Sequence, residues 1–141
     1  MASIIYNSVP RDAFLGRIVV GTSIFKAMLV GSSYIESKDS HTTRANITGE
    51  VSGTGYTAGG QILVPNFTQD LTIDRGTLVF PSVTWANSSI TGIRKVIYYV
   101  ANGGSASADY LVYCNDLGAD FASSGNTFTV AATEVRFDNP N

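Results

Sequence analysis

Six carboxylates stand where a loop-borne acid could do hydrolytic work: Glu36, Asp39, Glu50, Asp70, Asp74 and Glu134. Glycoside hydrolysis needs two such groups across one cleft, one to protonate the leaving oxygen and one to attack or to activate water. Nothing in the spacing singles out a pair, and all six read as solvated loop acids. The one histidine, His41, follows Asp39 by two residues and would be the base of a Ser-His-Asp set. No Gly-x-Ser-x-Gly turn offers the serine, so His41, between Ser40 and Thr42, reads as a surface or capping group.

Metal and cofactor chemistry finds no purchase either. Cys114 is the only cysteine and has no partner for an internal disulfide. With His41 as its one possible soft co-ligand, it reads as a small apolar filler of a strand. Asp70 and Asp74, with Gln69 beside them, are too sparse for calcium, which takes six or more oxygens. Asn-x-Ser/Thr triplets at Asn46, Asn66 and Asn87 accept glycans only in an exported chain, and residues 1–7 lack a basic start followed by an apolar run. No cofactor and no metal are expected.

Charge narrows the partners. The net charge is −2, the pI is near 5.1, and the basic residues gather no further than pairs such as Arg94-Lys95. Phosphate neutralisation needs clustered Lys and Arg, so no nucleic-acid partner is expected. No run of about 18 apolar residues marks a membrane span. Charged residues make up 14% of the chain against 44% hydrophobic, so disorder is excluded and much of the surface is neutral Thr, Ser, Asn and Gly.

Residues 50–60, Glu-Val-Ser-Gly-Thr-Gly-Tyr-Thr-Ala-Gly-Gly, are what the chain is organised around. Four of the eleven are glycines, and no Lys-Ser/Thr follows to hold a phosphate. Glycine serves where φ is positive or where backbones meet closely, which predicts a fixed crossing between two parts of a β-fold, with Tyr56 at its centre.

The segments around it alternate with period two. A run over 17–20 and another over 22–30 are split by Gly21; Phe25, Ala27 and Leu29 share one face, with Ile24, Met28 and Val30 on the other, which predicts a strand covered on both sides. Asp39 or Ser40 is placed to cap one or two helical turns through Thr42, Arg44 and Ala45, with an irregular loop as the alternative. Further strands are expected through Ile62 and Val64, Leu71 and Ile73, Leu78 and Phe80, Val83 and Trp85, and residues 93–100. Pro65-Asn66 interrupts one pair and Asp74-Arg75-Gly76 is a hairpin-like turn; Asn102-Gly103 is the strongest hairpin signal. Strands through Tyr110, Val112 and Cys114, through Phe128 and Val130, and through Val135 and Phe137 complete the set. Residues 116–125 read as a loop and 138–141 as a loose tail. Trp85, Tyr98 and Tyr99 read as core.

The expectation is one domain over residues 1–141 with an N-terminal arm over about 1–16, either a helical turn or extended. Its class is all-β: a jelly-roll-like β-sandwich of about seven to nine short antiparallel strands with at most one short helix. Tyrosine favours interfaces, so Tyr6 in the arm and Tyr56 in the glycine stretch are candidate partner contacts.

A family resemblance runs along most of the chain, up to about Val130. It is carried by Tyr6, Phe14-Leu15, Lys26-Ala-Met-Leu-Val30, Ser32-Ser-Tyr34, Asp39-Ser-His41, residues 50–60, Val83-Thr-Trp-Ala-Asn87, Ser89-Ile-Thr91 and Thr127-Phe-Thr-Val130. Together these resemble the small capsid cement, or head decoration, proteins of tailed bacteriophages. The resemblance implies a non-enzymatic structural protein of the virion, made in the host cytoplasm. It would be a homodimer on the outer face of a capsid of HK97-like major capsid protein. No catalytic residue comes with it. Ile4, Ile5 and Tyr6 in the arm and Tyr56 in the loop are the expected contact residues. Two alternatives stand beside this reading: a carbohydrate- or receptor-binding head or tail appendage, and a small hydrolase using Glu50 or Asp39.

Overall fold

A computed structural model describes residues 3–138 of the chain. The order is β1 (Ile4–Ile5), α1 (Val9–Phe14), β2 (Ile24–Val30), β3 (Gly53–Thr54), β4 (Gln61–Leu63), β5 (Asn66–Asp70), β6 (Arg75–Phe80), β7 (Val83–Ile90), β8 (Ile93–Ala101), β9 (Tyr110–Phe121), β10 (Asn126–Val130) and β11 (Thr133–Asp138). Two 3-10 turns, Arg44–Asn46 and Ala106–Ala108, complete it. The chain is the all-β sandwich that its alternating segments predict. Its eleven strands exceed the expected number because β1 and β3 are two residues each.

Every pairing among the described residues is antiparallel. One five-stranded sheet runs β1-β9-β8-β2-β4, and two three-stranded sheets run β10-β7-β3 and β11-β6-β5. The two longest ladders, β2 with β8 and β8 with β9, form the centre. Phe25, Tyr98 and Tyr113 rise from one face of that sheet against Phe80 of β6. The Phe80 ring stacks on Tyr98 at 4.3 Å between centroids and lies 6.3 Å from Phe25 and 6.4 Å from Tyr113. Neighbouring residues of a strand point to opposite faces, so Tyr99 and Lys95 serve the other side. There Tyr99 donates to the Gly59 carbonyl at 2.6 Å, and Lys95 donates to the Tyr34 carbonyl at 2.6 Å and pairs with Glu36. Strand β2 is thus covered on both faces, as its apolar run predicts. Trp85, Tyr98, Tyr99 and Cys114 are all buried core, as expected.

Several expectations need correction. Residues 17–20 form no strand; Arg17 and Ile18 donate their N–H groups to the Asp12 carbonyl and Thr22 to that of Val19, folding the run into turns. Asn66 does not interrupt a strand but begins β5. Leu71 and Ile73 lie in the turn between β5 and β6, while Arg75 and Gly76 belong to β6. Asp70 explains the shift: its carboxylate accepts from both the N–H and the hydroxyl of Thr72, closing the turn there. The Asp116-to-Gly125 loop is mostly strand, because β9 continues to Phe121. It leaves at Lys95↔Asp116 and rejoins at Ile93↔Phe121, setting four residues of β9, 117–120, against Arg94 alone on β8. Arg94 holds this bulge through Asp116 at 3.0 Å and Asp120 at 3.7 Å. The helical turn near Arg44 is capped by Thr43 with Asn46, not by Asp39 or Ser40. The arm is both readings at once, a two-residue strand and a six-residue helix. Asp138 ends β11, paired with Arg75; the rest of the expected loose tail, 139–141, lies outside the described residues.

Candidate interaction surface

The glycine stretch crosses between sheets as expected. Strand β4 pairs with β2 only over Phe25–Ala27, so the edge of β2 beyond it would carry bare amides and carbonyls. The stretch takes over: Val51 N–H donates to the Leu29 carbonyl at 3.1 Å, Gly31 N–H to the Gly49 carbonyl at 2.9 Å, and the Leu29 N–H donates to the Tyr56 hydroxyl at 3.1 Å. The chain then pairs as β3 with β7 and returns to β4. Gly60 lets it return: φ is +80°, and a Cβ there would lie 1.8 Å from the Ala27 carbonyl oxygen.

Tyr56 pins this loop from a half-buried position. Its ring packs 6.2 Å from Trp85, and its hydroxyl donates to Glu50 Oε1 at 2.8 Å. Burial, ahead of the bond to Glu50, pushes the phenol well above its ordinary range. The same Glu50 oxygen accepts the Gly59 N–H at 2.6 Å, so the acid offered as a hydrolase candidate braces its own loop. Asp39 takes the side-chain amide of Asn7.

Tyr6 must be withdrawn as a partner contact, since none of its surface is exposed. Its N–H continues the β1–β9 pairing by donating to the Val112 carbonyl, which turns the ring inward. The hydroxyl meets that of Tyr34 at 2.8 Å, and Tyr34 meets His41 Nδ1 at 2.9 Å. His41 thus ends a buried polar chain and caps nothing. Burial pushes the Cys114 thiol beside Tyr6 up to about 12. Ile4 and Ile5 are half-buried, held to Cys114 and Tyr113.

Ile4 and Ile5 do border a wide groove of about 790 Å³, with Ser3, Asn7, Lys38 and Tyr113 on their side and residues 132–136 on the other. It follows the free sides of β1 and β11, each the edge of its sheet. Elsewhere large apolar side chains stand in water at several places, Ile35, Ile62 and Val64 among them, and two groups stand out. Phe14 and Leu15 at the end of α1 are 93% and 60% exposed, with Ile24 nearby in chain order. Around the β5–β6 turn, Leu71 is 76% exposed, with Ile73, Phe67 and Phe137. Phe67 lies across Gly76 and 6.5 Å from Phe137, and these three line a hollow of about 260 Å³ with Leu71 and Arg75. The Asp70-x-Thr72 spacing was the sequence signal for this exposed turn.

Among the described residues no group of three or more His, Cys, Asp or Glu side chains is placed to hold a metal, and no helix is long and apolar enough to cross a membrane. No protein-family model, curated protein or solved structure matches the chain.

Proposed function

We propose that the chain is a non-enzymatic cement of a protein shell, a stiff module that bridges neighbouring subunits on the outside of a bacteriophage capsid. The observation that carries this reading is the pair of apolar groups left in water, Phe14 with Leu15 on one element and Phe67, Leu71, Ile73 and Phe137 on others. A bridge needs at least two places to hold. Patches of this kind mark surfaces made for another protein. The resemblance of residues 6–130 to phage cement proteins points the same way, and so does the low share of charged residues in the chain.

Bridging resists the outward pressure of packaged DNA, because parting two capsid subunits then also costs the bridge's own contacts. Each contact can be modest, on the order of 800 Å² per partner, since many copies act together. The appendage alternative is less well supported, because Trp85, Tyr98 and Tyr99, the rings best suited to stack on a sugar, are buried. The test is made on purified heads. Many copies per head, and heads without the chain breaking at lower temperature, support cement; a few copies confined to the tail tip, or heads with none, refute it.

A further inference from the structure

Strand β11 is an edge unlike the others. It pairs with β6 over all six of its residues, from Thr133↔Phe80 to Asp138↔Arg75, without a break in register. Its other side pairs with nothing among the described residues and runs along the 790 Å³ groove, which keeps that side open to solvent. The remaining sheet edges are poorer templates. Strands β1, β3 and β4 have two or three residues and β10 carries a register shift; β5 is regular over its five residues but carries Asp70 as its only charge, so it offers a second copy no pair of opposite sign. An open, regular edge of unpaired amides and carbonyls is a ready site for another strand.

Its side chains say which strand. Val135 is buried beneath it, while Glu134 and Arg136 stand on the outer face and pair with each other along the strand. Two copies of β11 meeting antiparallel about a two-fold axis normal to the sheet must place outer residues opposite outer residues. Two such registers overlap the most residues. Centred on Arg136, the first sets Arg136 against its own copy and Glu134 against Asp138, like against like. Centred on Val135, the second sets Glu134 against Arg136 twice over, once on each side of the axis. Opposite charges directly across a pair of strands attract and like charges repel, so only the second register survives.

We propose that β11 pairs with β11 of a second copy in the register centred on Val135, joining two β11-β6-β5 sheets into one six-stranded sheet locked by reciprocal Glu134–Arg136 contacts. The partner is fixed by self-complementarity: a strand reading Glu-x-Arg is its own antiparallel match. The proposal rests on the cement reading for its purpose and gives that reading its two-fold contact. It leaves Phe14 with Leu15, and Phe67 with Leu71 and Ile73, free to hold the shell, while Phe137 joins the end of the seam between the two copies.

Charge reversal tests it. Sedimentation of the full chain across a wide concentration range is expected to give a dimer for the wild type. Glu134→Arg alone puts four arginines together across the axis, and Arg136→Glu alone puts four glutamates there, so each variant is expected to be monomeric or to self-associate at least ten-fold more weakly. An equimolar mixture of the two should form a heterodimer, since every cross-strand pair is then opposite in sign, and the double variant should recover the wild-type dimer. Recovery on mixing cannot come from a mere folding defect. A wild-type chain that stays monomeric, single variants that dimerise unchanged, or a mixture that stays monomeric overturns the proposal. A monomer that still stabilises heads sinks this pairing alone, whereas a dimer of this form that leaves heads no stronger sinks the cement reading alone.

Discussion

Tyr56 gives its hydroxyl proton to Glu50 at 2.8 Å while taking the N–H of Leu29 at 3.1 Å, so one oxygen closes the glycine loop and finishes the edge of β2. Tyr56→Phe leaves both partners without it. A buried amide deprived of its acceptor costs about 1–3 kcal/mol. Urea unfolding should show a loss of that size, and hydrogen exchange at Leu29 should quicken more than at the β8–β9 centre. An unchanged midpoint would contradict this role.

Glu50→Gln tests the hydrolase alternative on the same loop. The amide can still accept from Tyr56 and Gly59, so the fold should hold. On a panel of glycans and cell-wall polymers the wild type and the variant are expected to behave alike, and turnover by the wild type that the variant lacks would revive the enzyme.

Two glycines of like φ separate conformation from space. Gly103 has φ +68° with nothing within 4 Å of an added Cβ, and Gly60 has φ +80° with the Ala27 carbonyl in the way. Gly103→Ala should cost about 1 kcal/mol, the left-handed penalty alone. Gly60→Ala adds overpacking and should cost about 3 kcal/mol or more. Equal thermal shifts for the two variants would contradict the close crossing.

Lys95 and Glu36 form an ion pair in which each side chain is 4% exposed. Lys95→Met alone strands a buried carboxylate and should cost about 3–5 kcal/mol in urea unfolding. Lys95→Met with Glu36→Leu should regain most of that, because an apolar pair of similar volume replaces a desolvated one.

Alkaline pH should destabilise the fold. Burial raises the Cys114 thiol to about 12 from an ordinary 9.0, and burial likewise raises Tyr34 and Tyr99 to about 12 from 10.0. The folded state holds these protons more tightly than the unfolded one, so their contribution is whole below about pH 9 and is lost as pH climbs towards 12. Denaturant midpoints should hold between pH 7 and about 9 and fall by pH 10.5. The thiol should ignore a maleimide at pH 8 until the chain is unfolded.

Alternation made the centre of the fold legible. Phe25, Ala27 and Leu29 announce a strand with two covered faces, and Cys114 and Trp85 read as core because no chemistry competes for them. The site was less legible. Tyr6 looks like an interfacial tyrosine in an arm, but its place is set by β9, whose pairing residues lie more than a hundred positions later. Leu71 and Ile73 alternate like a strand, and only the Asp70–Thr72 contact shows a turn. The bulge of β9 hid because Gly118 and the acids around it have the composition of a loop. The openness of β11 depends on which strands pair, a property of topology that no local window contains.

The pairing of Ile4 and Ile5 with Tyr113 and Cys114 also sets a clock. A ribosome adding about 5–20 residues per second needs roughly 5–20 s to travel from one to the other. For that interval the first strand has no neighbour to bond, and β2 waits about two-thirds as long for β8. The five-stranded sheet closes only once β9 has left the ribosome, so each copy must be made that far before it can fasten anything else.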